Sequence, residues 1–441
     1  MTLGLGVFAG ALDAGVLSPA LPALTRAFAI APRDSAWVFT LYLVANVVAI
    51  PIAAKLSDVF GRRPVYIACL VVFACGSAFA IAAPTFAAFL AARAMQAIGA
   101  GGIFPVATAA IADRVPLERR GAALGMLGAV WGLAAIVGPN VGGVITHFWS
   151  WRWIFALNVP LAAIVSVLAW RTVPAGAARR RGPLDLIGIG ALSIGLVALM
   201  IGLTRFNAGV SLLDTSEIAV AFAIAAAMFL ALPTIERSAA DPVIAPDLFA
   251  TRQLTLTYAL EIAIGMLEAA LFFVPSGLVA AQHLNAAFAG FVAAVGALVF
   301  VATIPLAGRA LDAFGSRAVL TTGATITALG LGSFALTMDS LPLSILTISI
   351  AGIGFGALLG APTRYIVSNE IGPDRRATGV GLLSIFLIFG MIAGGSLAGG
   401  LIGSDIADAA AYRTTYLAFA ALAVIAAIAT RSLKSRTRER A

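Results

Sequence analysis

Residues 64–92, 286–308 and 377–404 contain no Asp, Glu, Lys or Arg. Runs of this length decide the fold class before any motif is considered. About 20 apolar residues in an α-helix cross the hydrocarbon core of a bilayer. Inside lipid, a helix satisfies its own backbone N–H and C=O groups without neighbours. Fourteen stretches read as spans: roughly 2–25, 36–56, 64–83, 86–111, 121–146, 153–171, 185–205, 216–235, 254–280, 286–307, 317–338, 343–367, 376–402 and 412–431. The expected class is therefore an all-α polytopic membrane protein.

Composition agrees with this reading and removes several alternatives. Only 11% of the 441 residues are charged, against about a quarter in soluble domains, and mean hydropathy is +1.03. The net charge of +8 could suggest nucleic acid, but most basic residues fall in short loops between apolar runs. That placement suits membrane topology and anionic lipid headgroups instead. Two cysteines, Cys69 and Cys75, share one apolar run, which excludes a disulfide framework and leaves no metal-ligand cluster. No Walker sequence or catalytic Ser/His/Asp set is present, so neither an enzyme nor a cofactor is expected. The first apolar run lacks a basic leader and a small-residue cleavage site, so it reads as a span and not as a cleaved signal peptide.

Basic residues orient the chain. On the fourteen-span reading, twenty-one lie in alternate loops or the C-terminal tail and five in the opposite loops, with Arg93 and Arg364 inside spans. The positive-inside rule then puts both termini in the cytoplasm. All but two of the basic residues are arginine, which together with the Ala and Gly content suggests a GC-rich bacterial genome and a bacterial inner membrane.

The chain also repeats itself. Pro51, Asp58, Phe60, Gly61 and Arg63 recur 254 positions later as Pro305, Asp312, Phe314, Gly315 and Arg317. Pro116, Arg119, Arg120 and Gly125 recur as Pro373, Arg375, Arg376 and Gly381. The repeat unit is six spans. Expected divisions are an N-terminal six-helix bundle (1–172), a linker with two additional helices (173–253), a C-terminal six-helix bundle (254–431) and a basic tail (432–441). Two similar halves meeting at a central cavity is a transporter architecture, with the substrate site between them.

Within this frame, Lys55-Leu-Ser-Asp-Val-Phe-Gly-Arg-Arg-Pro64 resembles the loop signature of the major facilitator superfamily. Gly61 permits the tight turn, Asp58 suits a helix N-terminus, and Arg62 and Arg63 are expected to pair with a carboxylate, Asp113 being the candidate. The resemblance implies a cytoplasmic gate formed by Asp58, Gly61, Arg62, Arg63 and Asp113, with Asp312, Gly315 and Arg317 as a reduced counterpart. Ala54 and Val59 depart from the signature. In the fifth span, Val137-Gly-Pro-Asn-Val-Gly-Gly143 looks like the antiporter motif of exporters in this superfamily. It draws attention to Gly132, Gly138, Pro139, Gly142 and Gly143, with Asn140 inside it a candidate proton-coupling or substrate residue. Trp151–Pro160 and Asp241–Phe249 resemble the fourteen-span drug:proton antiporter branch. The implied fold is two six-helix bundles related by a pseudo-two-fold axis, with two extra linking helices.

Ionisable residues inside spans are costly and mark function. Arg93 needs a carboxylate or a wet cavity, and Gln96 shares its helical face. Asp13 lies in a first-span sequence similar to that of drug:proton antiporters. Glu261 and Glu268 are two turns apart on one face. Glu261 is expected to pair with Arg364, leaving Glu268 and Asp13 as the leading proton carriers. Trp37, Tyr42, Phe104, Trp131, Phe272, Phe273, Phe386 and Phe389 are candidate cavity aromatics for flat cations. The expected function is proton-coupled export of lipophilic or cationic drugs, an activity that would confer antibiotic resistance. The expected partners are a small molecule, protons and the bilayer; the chain is expected to be monomeric and to bind no nucleic acid. Transport of one metabolite on the same fold, in either direction, is the alternative.

Overall fold

The computed structural model describes residues 2–17, 20–30, 37–174, 185–207, 214–237, 239, 242, 246–402 and 408–434, and every regular element among them is helical. The first group is α1 (Thr2–Val16), α2 (Leu21–Phe28), α3 (Trp37–Phe60), α4 (Arg62–Ala82), α5 (Phe86–Ala112), α6 (Leu117–Phe148) and α7 (Arg152–Thr172). Two helices follow, α8 (Leu186–Asn207) and α9 (Asp214–Arg237), packed on each other. The second group is α10 (Arg252–Ala269), α11 (Val274–Gln282), α12 (Ala286–Phe314), α13 (Ser316–Thr337), α14 (Leu341–Leu359), α15 (Pro362–Glu370), α16 (Arg376–Ile402) and α17 (Ala409–Thr430). Side-chain caps start several of them. Thr85, Thr251, Asn285 and Asp408 accept from Ala88, Leu254, Phe288 and Ala410 backbone N–H groups at 2.8–3.2 Å, satisfying donors that a helix start leaves orphaned.

Eleven helical stretches among the described residues are long and apolar enough to cross a bilayer, against the fourteen expected. The expected spans 2–25, 121–146 and 185–205 have no counterpart among the eleven. The first is divided between α1 and α2, and α8 keeps a shorter apolar stretch, Ile187–Leu199. Two other expected spans are each interrupted. Residues 254–280 break at a 3-10 turn, Ala270–Phe273, and residues 343–367 break at Gly360–Ala361, ahead of Pro362. A Pro after a Gly ends one helix and fits the first turn of the next.

The two groups meet along two crossings that repeat each other. At α6–α12, a Cβ on Gly125 would lie 3.0 Å from the Gly308 Cα. At α3–α16, a Cβ on Gly381 would lie 3.2 Å from the Ala54 Cβ. Small residues let the backbones approach this closely. Ala54, the departure from the loop signature, is thus the α3 surface at the crossing.

Polar contacts join the groups at the same end, beside the Gly61 and Gly315 turns, which have φ of 95° and 84°. Asp58, buried, accepts from the Ala377 and Thr378 N–H groups at 3.3 and 3.0 Å and from the Thr378 hydroxyl at 2.7 Å. Its repeat counterpart Asp312 accepts from the Gly121 and Ala122 N–H groups at 2.7 and 2.8 Å. Asp58 therefore sits on the first turn of α16, where the helix dipole favours it, and Asp312 on the second turn of α6. Arg62 bonds Asp58, lies 2.9 Å from Asp113 and donates to the Pro373 carbonyl at 3.0 Å. Arg376 reaches Asp113 at 2.7 Å, and its counterpart Arg120 bonds Asn369. In the second repeat Ser316 occupies the place of Arg62, so that half of the arrangement lacks the bridging cation.

Two expected members stand outside this network. Arg63 stacks 4.7 Å above Trp170 and donates to the Trp170 carbonyl, because it faces α7 and not the opposite group. Arg317 is exposed, and its side chain has no bond among the described residues. Breaking one partner out of a buried charged pair costs about 3–5 kcal/mol. Asp58→Asn is therefore expected to lengthen the distance between spin labels at positions 60 and 314 by opening this face. Asp312→Asn should do so less, and unchanged distances would contradict the arrangement.

Candidate functional site

Three side chains bond Asp13, which is buried away from solvent. Its carboxylate is 2.7 Å from Arg93 Nη1 and accepts from Asn158 Nδ2 at 2.7 Å and Gln96 Nε2 at 3.3 Å. Arg93 also donates to Gln96 Oε1 at 2.8 Å, and Gln96 donates to the Ser77 hydroxyl at 2.6 Å. Asp13, Arg93, Gln96, Ser77 and Asn158 are all buried. The carboxylate that Arg93 requires is Asp13, drawn from α1 across to α5. Asn158 and Ser77 were not anticipated, because an isolated amide or hydroxyl in an apolar run gives no signal of its partner. The pair and its three neutral neighbours form a network with no net charge, in which the Arg93 Nε has no partner.

Tyr42 separates this network from a cavity of about 330 Å³ between the two groups. Its ring lies 4.3 Å from the Arg93 guanidinium carbon, a cation–π contact, and it also lines the cavity. Phe104 and Trp131, packed edge to face at 5.6 Å, continue the wall. Phe300, Leu387 and Met391 line the other side. The volume is at the low end of small-molecule sites, and a mostly apolar lining with few polar groups is typical of them.

The cavity's two charged residues both come from the second group, and each sits beside a helix break. Glu268 lies in the last turn of α10, just before the Ala270–Phe273 turn. Arg364 lies in the first turn of α15 and donates to the Leu359 and Gly360 carbonyls, both at 3.0 Å, which α14 leaves unpaired at its end. Its guanidinium carbon is 4.7 Å from the Phe104 ring centroid, a contact from one group to the other. Discontinuous helices of this kind carry the polar sites of transporters. All nine residues of α15 are buried although the helix is polar; Glu370 meets Lys434 at 3.3 Å and Asn369 bonds Arg120, whereas the Ser368 hydroxyl is buried without a partner.

Glu261 interacts with Arg364 and accepts from the Thr363 side chain, but no ion pair within 4 Å joins Glu261 to Arg364, contrary to expectation. The reason is geometric: the Arg364 Nη1 is committed to the α14 carbonyls. One carboxylate oxygen of Glu261, one of Glu268 and the Nε of Arg364 are buried without a partner.

Other expected residues fall elsewhere. Trp37 and Phe272 are exposed on the outer surface, Phe273 packs in the core of the second group, and Phe386 and Phe389 pack near α8 and α9. On α6, Gly128 and Gly132 face Gly360 and Val301 of the opposite group, whereas Gly138 packs on Leu12 and Gly15 of α1. Nothing lies within 4 Å of a Cβ on Gly143, and the Gly142 carbonyl accepts from Thr146. The side chains of Pro139 and Asn140 lie outside the described residues.

The buried network makes a sharp energetic prediction. Arg93→Gln leaves a buried carboxylate without its counter-charge, a change that costs about 3–5 kcal/mol. Arg93→Gln alone should strongly lower the unfolding temperature in detergent, and the double variant Asp13→Asn/Arg93→Gln should recover most of the loss. Additive losses would contradict the pairing.

Comparisons with known proteins agree with the architecture. Residues 3–241 and 254–441 match the Major Facilitator Superfamily. The chain is 32% identical over 406 residues to the uncharacterized MFS-type transporter YfiU of Bacillus subtilis (strain 168), covering 90% of this chain and 78% of that protein. It is 28% identical over 364 residues to the multidrug transporter protein MdtP of the same organism, covering 80% and 66%. It is also 32% identical over 291 residues to that organism's multidrug resistance protein 3, covering 65% of this chain and 56% of that protein. Among solved structures, the human organic anion transporter MFSD10 superposes with a TM-score of 0.73 at 17% identity, over 97% of this chain and 98% of that one. The proton:xylose symporter XylE superposes with a TM-score of 0.68 at 15% identity, over 99% and 96%. The chain is an integral membrane protein that belongs to the major facilitator superfamily.

Proposed function

We propose that the chain is a secondary active exporter that exchanges protons for lipophilic or cationic compounds by alternating access. The observation that carries this reading is Glu268, a carboxylate with an unpartnered buried oxygen lining an aromatic cavity between the two helix groups. A proton and a cationic substrate compete for such a group, and competition at one site is the simplest coupling of two fluxes. The multidrug names of two relatives support the substrate range. On this reading the fold has fourteen spans, with α1 and α2 together, α6 and α8 joining the eleven. Residues 1–172 and 254–431 form the two bundles, 173–253 the linker and 432–441 the tail. Both termini face the cytoplasm of a bacterial inner membrane, and the chain acts as a monomer.

The contacts at Asp58, Gly61, Arg62, Asp113, Asp312, Gly315 and Arg376 then form the cytoplasmic gate, and the structure is the form closed on that side. The roles among the intramembrane acids divide. Glu268 carries the exchangeable proton, Glu261 supports Arg364, and Asp13 with Arg93, Gln96 and Asn158 sets the position of Tyr42. Gly132, Gly138 and Gly142 allow α6 to pack against α12 and then α1 as the bundles rock. In proteoliposomes with an imposed pH gradient, substrate addition should move protons. Glu268→Gln should abolish that movement while leaving the folded protein intact by size-exclusion chromatography. Proton movement that persists in Glu268→Gln would sink the assignment.

A further inference from the structure

We propose that the two seams between the helix groups are mechanically unequal: α3–α16 is a clasped hinge, and α6–α12 is the seam that parts when the end bearing Gly61 and Gly315 opens. The repeat alone would make the two seams equivalent. The inference rests on the reading that this end opens and closes as a gate. It does not depend on which compound is carried or on protons.

The first difference is a helix. α8 lies across the α3–α16 seam and packs on both of its helices. Leu192 and Leu196 of α8 share one buried apolar cluster with Val47 and Ile50 of α3 and with Val380 and Leu383 of α16. Among the described helices, none packs comparably on both α6 and α12. Separating α3 from α16 would therefore also strip α8 from one of them. Inside a bilayer the penalty is lost packing, because lipid tails are as apolar as leucine.

The second difference lies at position 55 and its repeat counterpart, 309. Lys55 is buried on α3 and donates to the Pro242 carbonyl at 2.8 Å, in the connection from α9 to α10. A hydrogen bond from a charged donor is one of the stronger kind, and this one ties α3 to the chain that enters the second group. Arg309, the matching residue on α12, is exposed.

The third difference is in the polar closure itself. Asp58 accepts three hydrogen bonds from α16, one of them from the Thr378 hydroxyl. Ala122 stands in the place of Thr378 at the other seam, and Asp312 accepts two bonds from α6. Arg62 bridges Asp58 and Asp113. The matching positions hold Ser316 and Asn369. Asn369 bonds Arg120 of α6, but its amide nitrogen and the Ser316 hydroxyl are buried without a partner. Buried polar groups left unsatisfied favour the state in which water reaches them. The α6–α12 side thus gains hydration by opening, and the α3–α16 side loses bonds. Closure about a retained interface is a recognised form of domain motion.

The test places nitroxide labels in two repeat-related pairs, one across each seam, on purified full-length protein in detergent. Phe60→Cys with Gly372→Cys reports α3–α16, and Phe314→Cys with Val115→Cys reports α6–α12. The exposed Cys75 is changed by Cys75→Ser, and the buried Cys69 stays. With no further change, the distance distribution of the 314–115 pair should be the broader one. Asp58→Asn and Asp312→Asn together remove the matched carboxylates from both seams. The 314–115 distance should then lengthen by several ångströms, with the 60–372 distance nearly unchanged. Equal breadth before those two substitutions, or equal lengthening after them, overturns the hinge and leaves the gate reading standing. No lengthening of either pair overturns both. A chain that opens at 314–115 yet moves no protons would refute the antiport reading and leave the hinge intact.

Discussion

A charge inside a hydrocarbon slab must find a partner or water, and the rest of this structure follows from how five such charges are placed. Asp13 and Arg93 solve the problem locally. They meet at 2.7 Å, and Gln96 and Asn158 add hydrogen bonds, leaving the Arg93 Nε without a partner. Glu261, Glu268 and Arg364 leave it partly unsolved, with a buried unpartnered polar atom on each. The first cluster pairs its opposite charges directly, whereas in the second, on the proposed reading, a ligand supplies a missing partner. Insertion costs of a few kcal/mol per charge make the second arrangement worth keeping only if something returns that energy.

The two clusters are connected through the cavity wall and not through each other. Tyr42 shields the Arg93 pair from the cavity, whereas Arg364 lines it with Phe104 of the opposite group against its guanidinium. A ligand against either ring therefore presses on a fixed charge. Movement of the groups apart at this level would separate Phe104 from Arg364, which on the proposed reading links occupancy to conformation. At one end the groups are held by repeat-related contacts, in which each offers a carboxylate to backbone N–H groups of a helix of the other. Replacement of Arg62 by Ser316 in the second repeat makes the two halves of that closure unequal.

Much of this was legible in the residues. The repeat predicted a two-fold construction, Gly61 and Gly315 predicted turns that need positive φ, and Asp113 was the right carboxylate for Arg62. Arg93 demanded a partner, but its identity depended on α1 crossing α5, which no spacing along the chain reveals. Arg63 and Arg317 were misplaced because neighbouring residues on a helix point in different directions, and sequence adjacency does not say which one faces the other group. Continuous hydropathy hid the breaks at residues 270–273 and 360–361. Gly360 and Pro362 were the available signal for the second break, and Arg364 just beyond it was read as a structural ion pair for want of it.

The central claim is that Glu268 holds either a proton or the amine of the substrate. The most direct measurement is the proton release that accompanies ligand binding by purified protein in weakly buffered detergent solution. At a pH low enough for Glu268 to begin protonated, an aromatic amine should displace about one proton per bound ligand, and Glu268→Gln should bind without release. Saturating binding with no proton release by the unmodified protein would contradict the account.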